Sequence, residues 1–461
     1  MRIISKPFKM TALLIKNLVR SKGLMIGLFI LFLAGMASLH IGKIFLDKTE
    51  SNILITQQKQ KESILRNVEY HSDEMGLLLY YLKFGMVNSA PRLAGLSIGI
   101  RDVTTSVQSV TIRNLAEQKY TSELANPFYQ MLGNMDFSFV LIFLFPLVII
   151  VFCFSLVSEE KENGTWTLLV SQTGRPLKVI ERKILIRFCC ILFLLILLLF
   201  IGKIYLKIPI DIPFIAFILV SVLYVTFWFS LVWLVISYHK GSGQNAIFLI
   251  LTWLLLTIVI PAVINAFSFY KNPTPDAFRT FLESRDGYHN KWDQPIVPTV
   301  EKFQQHYPEL RKYVHPNDKE FSWLWYYAMQ QSGDDDAKKA SLALQDKLKD
   351  RVRFSRHIGF LFPTINTQFS FNLLSQSDID HHFSFIEALT KFHEEKRVYF
   401  YPKIFSDEKV LEQDWNKFDL QFYNGKVKIQ WVTLVAPSLF FILFFFLLAQ
   451  NNFSRNKNVM I

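Results

Sequence analysis

The sequence predicts an all-α membrane protein with six transmembrane helices and a large helical extracytoplasmic domain. Three observations carry this reading. Six apolar runs, 24–45, 137–158, 188–206, 212–238, 245–267 and 431–450, each lie near the ~20 residues that cross a bilayer core as a helix. Two long polar segments, 46–136 and 268–430, separate some of these runs and show little period-two alternation. Basic residues gather beside particular span ends instead of spreading evenly.

Composition agrees. Hydrophobic residues make up 51% of the 461, and the mean hydropathy is +0.25, unusual for a soluble chain of this length. The net charge of +12 is uneven: the first 23 residues hold Arg2, Lys6, Lys9, Lys16, Arg20 and Lys22 and no acid. Lys and Arg near span ends favour the cytoplasmic side, so the N-terminus is expected inside. Six spans return the C-terminus, with Arg455 and Lys457, to the same side, along with the loop 158–187 and His239-Lys240. Lys203 and Lys207 run against the bias, as long basic chains that snorkel can do. The expected location is a cell membrane crossed several times, a bacterial inner membrane, with both termini cytoplasmic. No small-residue cleavage site follows the first run, so a cleaved leader is not expected. Nucleic acid is a poor partner, since the basic residues flank spans and no recognition motif is present. Cys153, Cys189 and Cys190 all lie in or beside spans. The outer segments therefore have no disulfide frame, and each cysteine reads as a small buried hydrophobe.

Taken in order, residues 1–23 read as a cytoplasmic interfacial helix, apolar on one side and basic on the other, ahead of the first span at 24–45. The first extracytoplasmic segment, 46–136, opens with Asp47–Val68, which lacks Gly and Pro and should extend the first span as a stalk. A break is expected at Ala90-Pro91, then a Gly/Ser/Thr-rich stretch to Thr111 without a clear assignment. Asn126-Pro127, Gly133 and Asp136-Phe137 lead into the second span, 137–158. A cytoplasmic coupling segment, 159–187, precedes spans three to five within 188–267. The second extracytoplasmic segment, 268–430, opens with a helix-start signal at Asn272–Asp276, and Pro295, Pro298, Pro308 and Pro316 punctuate short helices. Asp318–His357 predicts a helical hairpin turned or kinked near Ser332-Gly333, and further helices are expected over 363–374 and 378–399. The sixth span, 431–450, leaves a cytoplasmic tail, 451–461.

The most informative stretch runs from Ser158 to Pro176. Glu159, Glu160 and Glu162 meet the membrane edge, followed by Gly164-Thr165 and an apolar piece with Trp166, Leu168, Leu169 and Val170. Glu160, Glu162, Gly164, Thr165, Leu168 and Leu169 resemble the cytoplasmic loop of permease subunits of type-2 ATP-binding-cassette exporters. Phe362-Pro363, Gln368, Leu374, Asp378, His382-Phe383 and Glu387, with Asn126-Pro127, Gly133, Asp136 and Pro146, resemble the subfamily with two large outer insertions. Gln376-Ser377 departs from it where a small Gly-Thr-like pair is expected. The resemblance implies a permease that is no enzyme itself and holds no cofactor. ATP and magnesium would sit on separate ABC ATPase subunits, docked at Glu159, Glu160, Glu162, Gly164, Thr165, Leu168 and Leu169. It also implies a second permease copy or a sister permease as partner. Solvated acids at a span end are the plainer alternative for the three glutamates.

Asp136, at the mouth of the second span, and Pro146, Pro261 and Pro437, inside spans, are weighed as gating positions against ordinary kinking; Asp136 and Pro146 are the gating candidates kept. Other constellations read as structural. His381, His382 and His393 lack zinc spacing and are taken as exposed polar residues of a helix. Asp334-Asp335-Asp336 lacks the alternation of a calcium loop and is taken as a solvated turn. Lys240–Gln244 has no phosphate-binding loop beside it and is taken as a flexible turn. The competing function is a membrane-anchored extracytoplasmic hydrolase or sensor, although no Gly-x-Ser-x-Gly elbow is present.

Overall fold

A computed structural model describes residues 5–120, 134–173, 176–271, 273, 292, 295–316 and 321–455. The helix start expected at Asn272–Asp276 falls outside these residues apart from Pro273, as do Asn126-Pro127, Gly133 and Lys457. Helix α1 (Ser5–Arg20) breaks at the extended Ser21, and α2 (Lys22–Tyr70) follows as one helix of 49 residues. At ~1.5 Å per residue such a helix is more than twice the ~30 Å of a bilayer core. Its first half is the apolar run and its second half is the polar stalk. Gly42 lets the stalk's root touch the outer segment: a Cβ there would lie 1.9 Å from the Gly95 carbonyl oxygen.

Next come α3 (Met75–Tyr81), β1 (Phe84–Asn88), β2 (Val107–Val110) and α4 (Leu115–Tyr120). The helix break therefore falls at His71, well before Ala90-Pro91. Tertiary contacts set it there, turning α3 back onto the segment 268–430: Trp323 Nε1 donates to Glu74 at 2.6 Å and the Tyr327 hydroxyl to the Gly76 carbonyl at 3.0 Å.

The chain continues as α5 (Phe137–Glu162), α6 (Trp166–Thr173), α7 (Pro176–Tyr205), α8 (Ile212–Ile236) and α9 (Ser242–Lys271). Then follow α10 (Ile296–His306), α11 (Trp323–Gly359), α12 (Pro363–Leu374), α13 (Ile379–Phe405), β3 (Gln421–Tyr423) and α14 (Trp431–Arg455). Among the described residues, six helices, α2, α5, α7, α8, α9 and α14, are long and apolar enough to cross a membrane. Each apolar run of the sequence falls in one of them, save one or two residues at the ends of the third and fourth. The protein is thus a predominantly helical membrane protein. Helices α5 and α8 are central, while the others turn side chains such as Phe193, Phe248 and Phe444 outward. In water such faces would be costly; against lipid they are at home. Cys153 is buried as expected, but Cys189 sits on an outward face of α7.

Among the described residues there are two hydrophobic cores, one among the spans and one in the domain at one end of the bundle. Helix α12 belongs to the first, through Phe371 and Leu374. Its Phe371 stacks on Phe217 of α8 with ring centroids 4.2 Å apart, and Asn366 donates to the Thr433 carbonyl at the start of α14 at 3.1 Å. The sequence places this helix with the outer domain, yet it packs on the spans.

Within the domain, three short strands form a sheet in the order β2-β1-β3, antiparallel between β1 and β2 and parallel between β1 and β3. Residues 323–359 form one continuous helix, α11, with no hairpin or break at Gly333. A helical Gly costs only about 1 kcal/mol, and tertiary partners of the next residue outweigh it. Asp334 accepts from the N–H groups of Leu115 and Ala116 at 3.0 and 2.9 Å, capping α4, and pairs with Arg397 at 2.8 Å. The three aspartates are therefore helical and engaged, with Asp335 accepting from Gln331 and Asp336 paired with Lys302.

Arg397 is a buried hub on α13. It donates to the carbonyls of Ile112 and Arg113 and to Gln331. His393, one turn earlier, is 2% exposed instead of facing solvent, and its Nε2–H donates to the Arg113 carbonyl at 2.8 Å. Burial, with Arg397 nearby, holds it well below the usual histidine range. His381 accepts from Arg101 at 2.9 Å, and burial plus that cation push it down to about 4. Gln376, where the resemblance leads one to expect a small pair, adopts φ +52°, the left-handed region that favours glycine.

Candidate functional site

The stretch singled out in the sequence lies at the end of the bundle opposite the domain, beside α1, whose Met10 meets Arg182 of α7. Helix α5 loosens at 154–157 and regains one turn at Ser158–Glu162. Gly164 ends that turn with φ +71°, the left-handed conformation that closes helices. A Cβ there would meet nothing within 4 Å, so the demand for glycine is conformational and not steric. Thr165 then opens α6, its hydroxyl donating to the Glu160 carboxylate at 2.5 Å and to its carbonyl at 3.1 Å.

The acids do not stand free. Glu160 pairs with Lys183 of α7, both side chains largely covered. Glu162 accepts from the backbone N–H of Ser242 at 2.8 Å and from its hydroxyl at 2.6–2.7 Å, at the first turn of α9. The positive end of the α9 helix dipole also favours a carboxylate there. Glu159 accepts from Ser155 of its own helix at 3.1 Å. The glutamates thus tie the foot of α5 to the feet of α7 and α9. Sequence alone places no internal partner beside them, yet Glu160 and Glu162 each have one. Lys240–Gln244 is accordingly no loose turn, since its Ser242 is held.

Apolar residues of α6 divide in two. Trp166 packs against the hydrophobic core of the spans, with the Lys161 ammonium 5.4 Å from its ring centroid. Leu169 and Val170 are half-buried, while Leu168 is 55% exposed. Asn245 is a residue the sequence reading missed. It is buried on α9 and donates to the Phe154 carbonyl at 3.2 Å, binding α9 to the loosened part of α5. A lone Asn at the start of an apolar run was the available signal.

The gating candidates lie toward the domain end of α5. Asp136 caps it, accepting from the Phe139 N–H at 2.9 Å and the Ser138 hydroxyl at 2.7 Å, and also from the Ile98 N–H of the outer segment at 2.8 Å. It thereby pins the domain to the head of the span. Pro146 follows a π-helical turn, Val140–Leu144, and Pro261 of α9 follows another, Leu255–Val259. A proline lacks the N–H and crowds the carbonyl four residues back, so the turn before it widens. The freed region is used: Tyr224 of α8 donates to the Ile142 carbonyl at 2.9 Å and Trp253 of α9 to the Phe143 carbonyl at 3.1 Å. Pro437 is buried inside α14.

Comparison with known proteins adds one match. Residues 277–422, from the region before α10 into β3, match a family described as a domain of unknown function, DUF3526. No curated protein and no solved structure matches the chain.

Proposed function

We propose that this chain is the permease subunit of an ATP-binding-cassette exporter of type 2, with both termini in the cytoplasm and the domain on the outer face of a bacterial inner membrane. Separate ATPase subunits would dock on the segment 159–173, and a second permease copy or a sister permease would complete the assembly. One observation carries the reading: a short helix with an exposed Leu168 is tied through Glu160 and Glu162 to the feet of three spans. A push on α6 would reach α5, α7 and α9 together. The docking surface is then α6, with Leu168 as its apolar contact, and the acids transmit motion instead of meeting the partner. The π-helical turns before Pro146 and Pro261 are suited to serve as hinges, because a widened turn moves at low cost. The chain would use no cofactor of its own; ATP and magnesium belong to the ATPase.

The test is purification of the full chain from its native membrane. Co-elution of an ATPase with a phosphate-binding loop, lost in Leu168→Asp at unchanged membrane level, supports the proposal. A chain that elutes alone, with hydrolytic activity in its outer segments, favours the membrane-anchored hydrolase instead.

A further inference from the structure

Helices α7 and α14 each pack on α8, and in the half of the bundle nearer α6 they leave a groove of about 690 Å³ between them. Its size falls inside the ~300–1,000 Å³ usual for small-molecule sites. Ile184 and Phe188 of α7 form one wall, Ile442 and Phe446 of α14 the other, and Phe229 and Trp233 of α8 the floor. Ring contacts fix that floor: Phe229 meets Phe188 edge-on with centroids 5.2 Å apart, and Trp233 packs on Phe453 at 4.8 Å.

The groove is as long as one leaflet is deep. On α14 it runs from Ser454, in the last turn, inward to Ile442, and on α7 from Leu177, in the first turn, to Phe188. At ~1.5 Å per residue either run covers about 17 Å, against ~15 Å for half of a ~30 Å bilayer core. Beyond that level, toward the domain, α12 covers α8 with Phe371 on Phe217. A membrane-crossing helix of a partner brings ~20 residues, so the groove is too short to seat one lengthwise. Polarity follows the same axis: Glu181, Gln450 and Ser454 lie at the α6 end, and Phe188, Thr226 and Ile442 at the deep end. The two hydroxyls on the α8 side are satisfied by their own helix, Thr226 donating to the Val222 carbonyl and Ser230 to the Phe227 carbonyl, each at 2.7 Å. The floor thus favours hydrocarbon over a polar occupant. Its lips, Leu185 at 57% and Phe446 at 45% exposure, continue into the outward apolar faces of α7 and α14, so the groove opens sideways toward lipid.

We propose that this groove holds one acyl chain of a phospholipid from the leaflet on the α6 side, its chain end against Phe188, Thr226 and Ile442 and its glycerol region beside Gln450 and Ser454. Length selects a chain that stops at the bilayer middle, the polarity gradient sets its direction, and the satisfied hydroxyls select hydrocarbon. The fit uses no charge on the head group. The chain would stand between α14 and α7, the helix whose Lys183 holds Glu160, and so would set the spacing of those two spans. The binding does not depend on the function proposed above.

The test uses the full chain in phosphatidylcholine nanodiscs that include a phosphatidylcholine with a photoreactive diazirine midway along one acyl chain. Phe229 and Trp233 are only 5% and 6% exposed, on the central helix, so a probe confined to the bundle's outer faces does not reach them. Labelling is nevertheless expected on the peptide that holds them, beside the ordinary labelling of the lipid-facing Leu443 and Leu447. Ser230→Phe fills the floor and should lower the α8 labelling about tenfold while that at Leu447 is unchanged. Ile442→Trp narrows the deep end from the opposite wall and should do so independently if the first variant folds poorly. Label confined to the outward faces of α7 and α14, with none on Phe229 or Trp233, overturns the proposal. So does α8 labelling that neither variant changes. A disulfide between two copies carrying Leu185→Cys, formed while α8 stays unlabelled, would give the groove to a second copy and overturn it as well.

Discussion

The Tyr224 hydroxyl donates to the carbonyl oxygen of Ile142 at 2.9 Å, and Pro146, four residues beyond Ile142, has no N–H to offer that carbonyl. One span thus supplies the donor that a proline withholds in another. Hydrogen bonds between membrane helices average ~0.6 kcal/mol and reach ~1.7. Tyr224→Phe should therefore cost about 1 kcal/mol in a detergent-unfolding titration. Pro146→Ala returns an N–H to the helix, so in that background Tyr224→Phe should cost less than half as much. Strictly additive costs would show that the two residues do not share the carbonyl.

Arg397 makes the second prediction. Its guanidinium serves Gln331, two carbonyls and Asp334 from a fully buried position. Arg397→Leu leaves Asp334 and the carbonyls without it, and breaking a buried pair costs ~3–5 kcal/mol. The domain should melt well below the wild type and be cut rapidly by protease, while the spans keep their helicity by circular dichroism. A domain melting within a degree of wild type would contradict this.

Acid should weaken the domain through its histidines. His393 and His381 are held below their ordinary value, the latter at about 4, chiefly by burial. Below ~6.5 the unfolded chain binds protons that the folded one refuses, so stability falls with pH. The contribution is present above ~6.5 and is lost as pH drops through about 4 for His381, and likewise on acidification for His393. His393→Gln keeps a donor for the Arg113 carbonyl and cannot titrate. Denaturant midpoints followed by tryptophan fluorescence should fall less between pH 7.5 and 5 in that variant. Equal falls would remove His393 from the account.

Local signals were legible in the sequence where they are strong. The spans declare themselves by length and apolarity, and Asp47–Val68 continues α2 because nothing in it interrupts a helix. What escaped was set by distant partners. Strand β1 has its parallel neighbour more than 330 positions later, and among the described residues no strand exceeds five residues. Gly333 reads as a break only while the partners of Asp334 are unknown. The glutamates read as open acids because Lys183 and Ser242 stand 23 and 80 positions away.

The last prediction turns on those two contacts. If docking on α6 moves the spans, Glu160 and Lys183 must hold together while it happens. Glu160→Lys sets two ammonium groups against each other and frees the foot of α7. The domain and the span cores lie elsewhere, so the chain should reach the membrane in normal amount. In the proposed assembly with an ATPase, ATP turnover should fall about tenfold, the equivalent of ~1.4 kcal/mol of lost coupling. Lys183→Glu alone should do the same by opposing two carboxylates. The double exchange restores opposite charges at the same place and should recover most of the turnover. A surface cation on the ATPase, had it been the true partner of Glu160, would still face the wrong sign in the double variant. Recovery therefore separates an internal tether from an external salt bridge, and a double variant as defective as Glu160→Lys would return the acid to the docking surface.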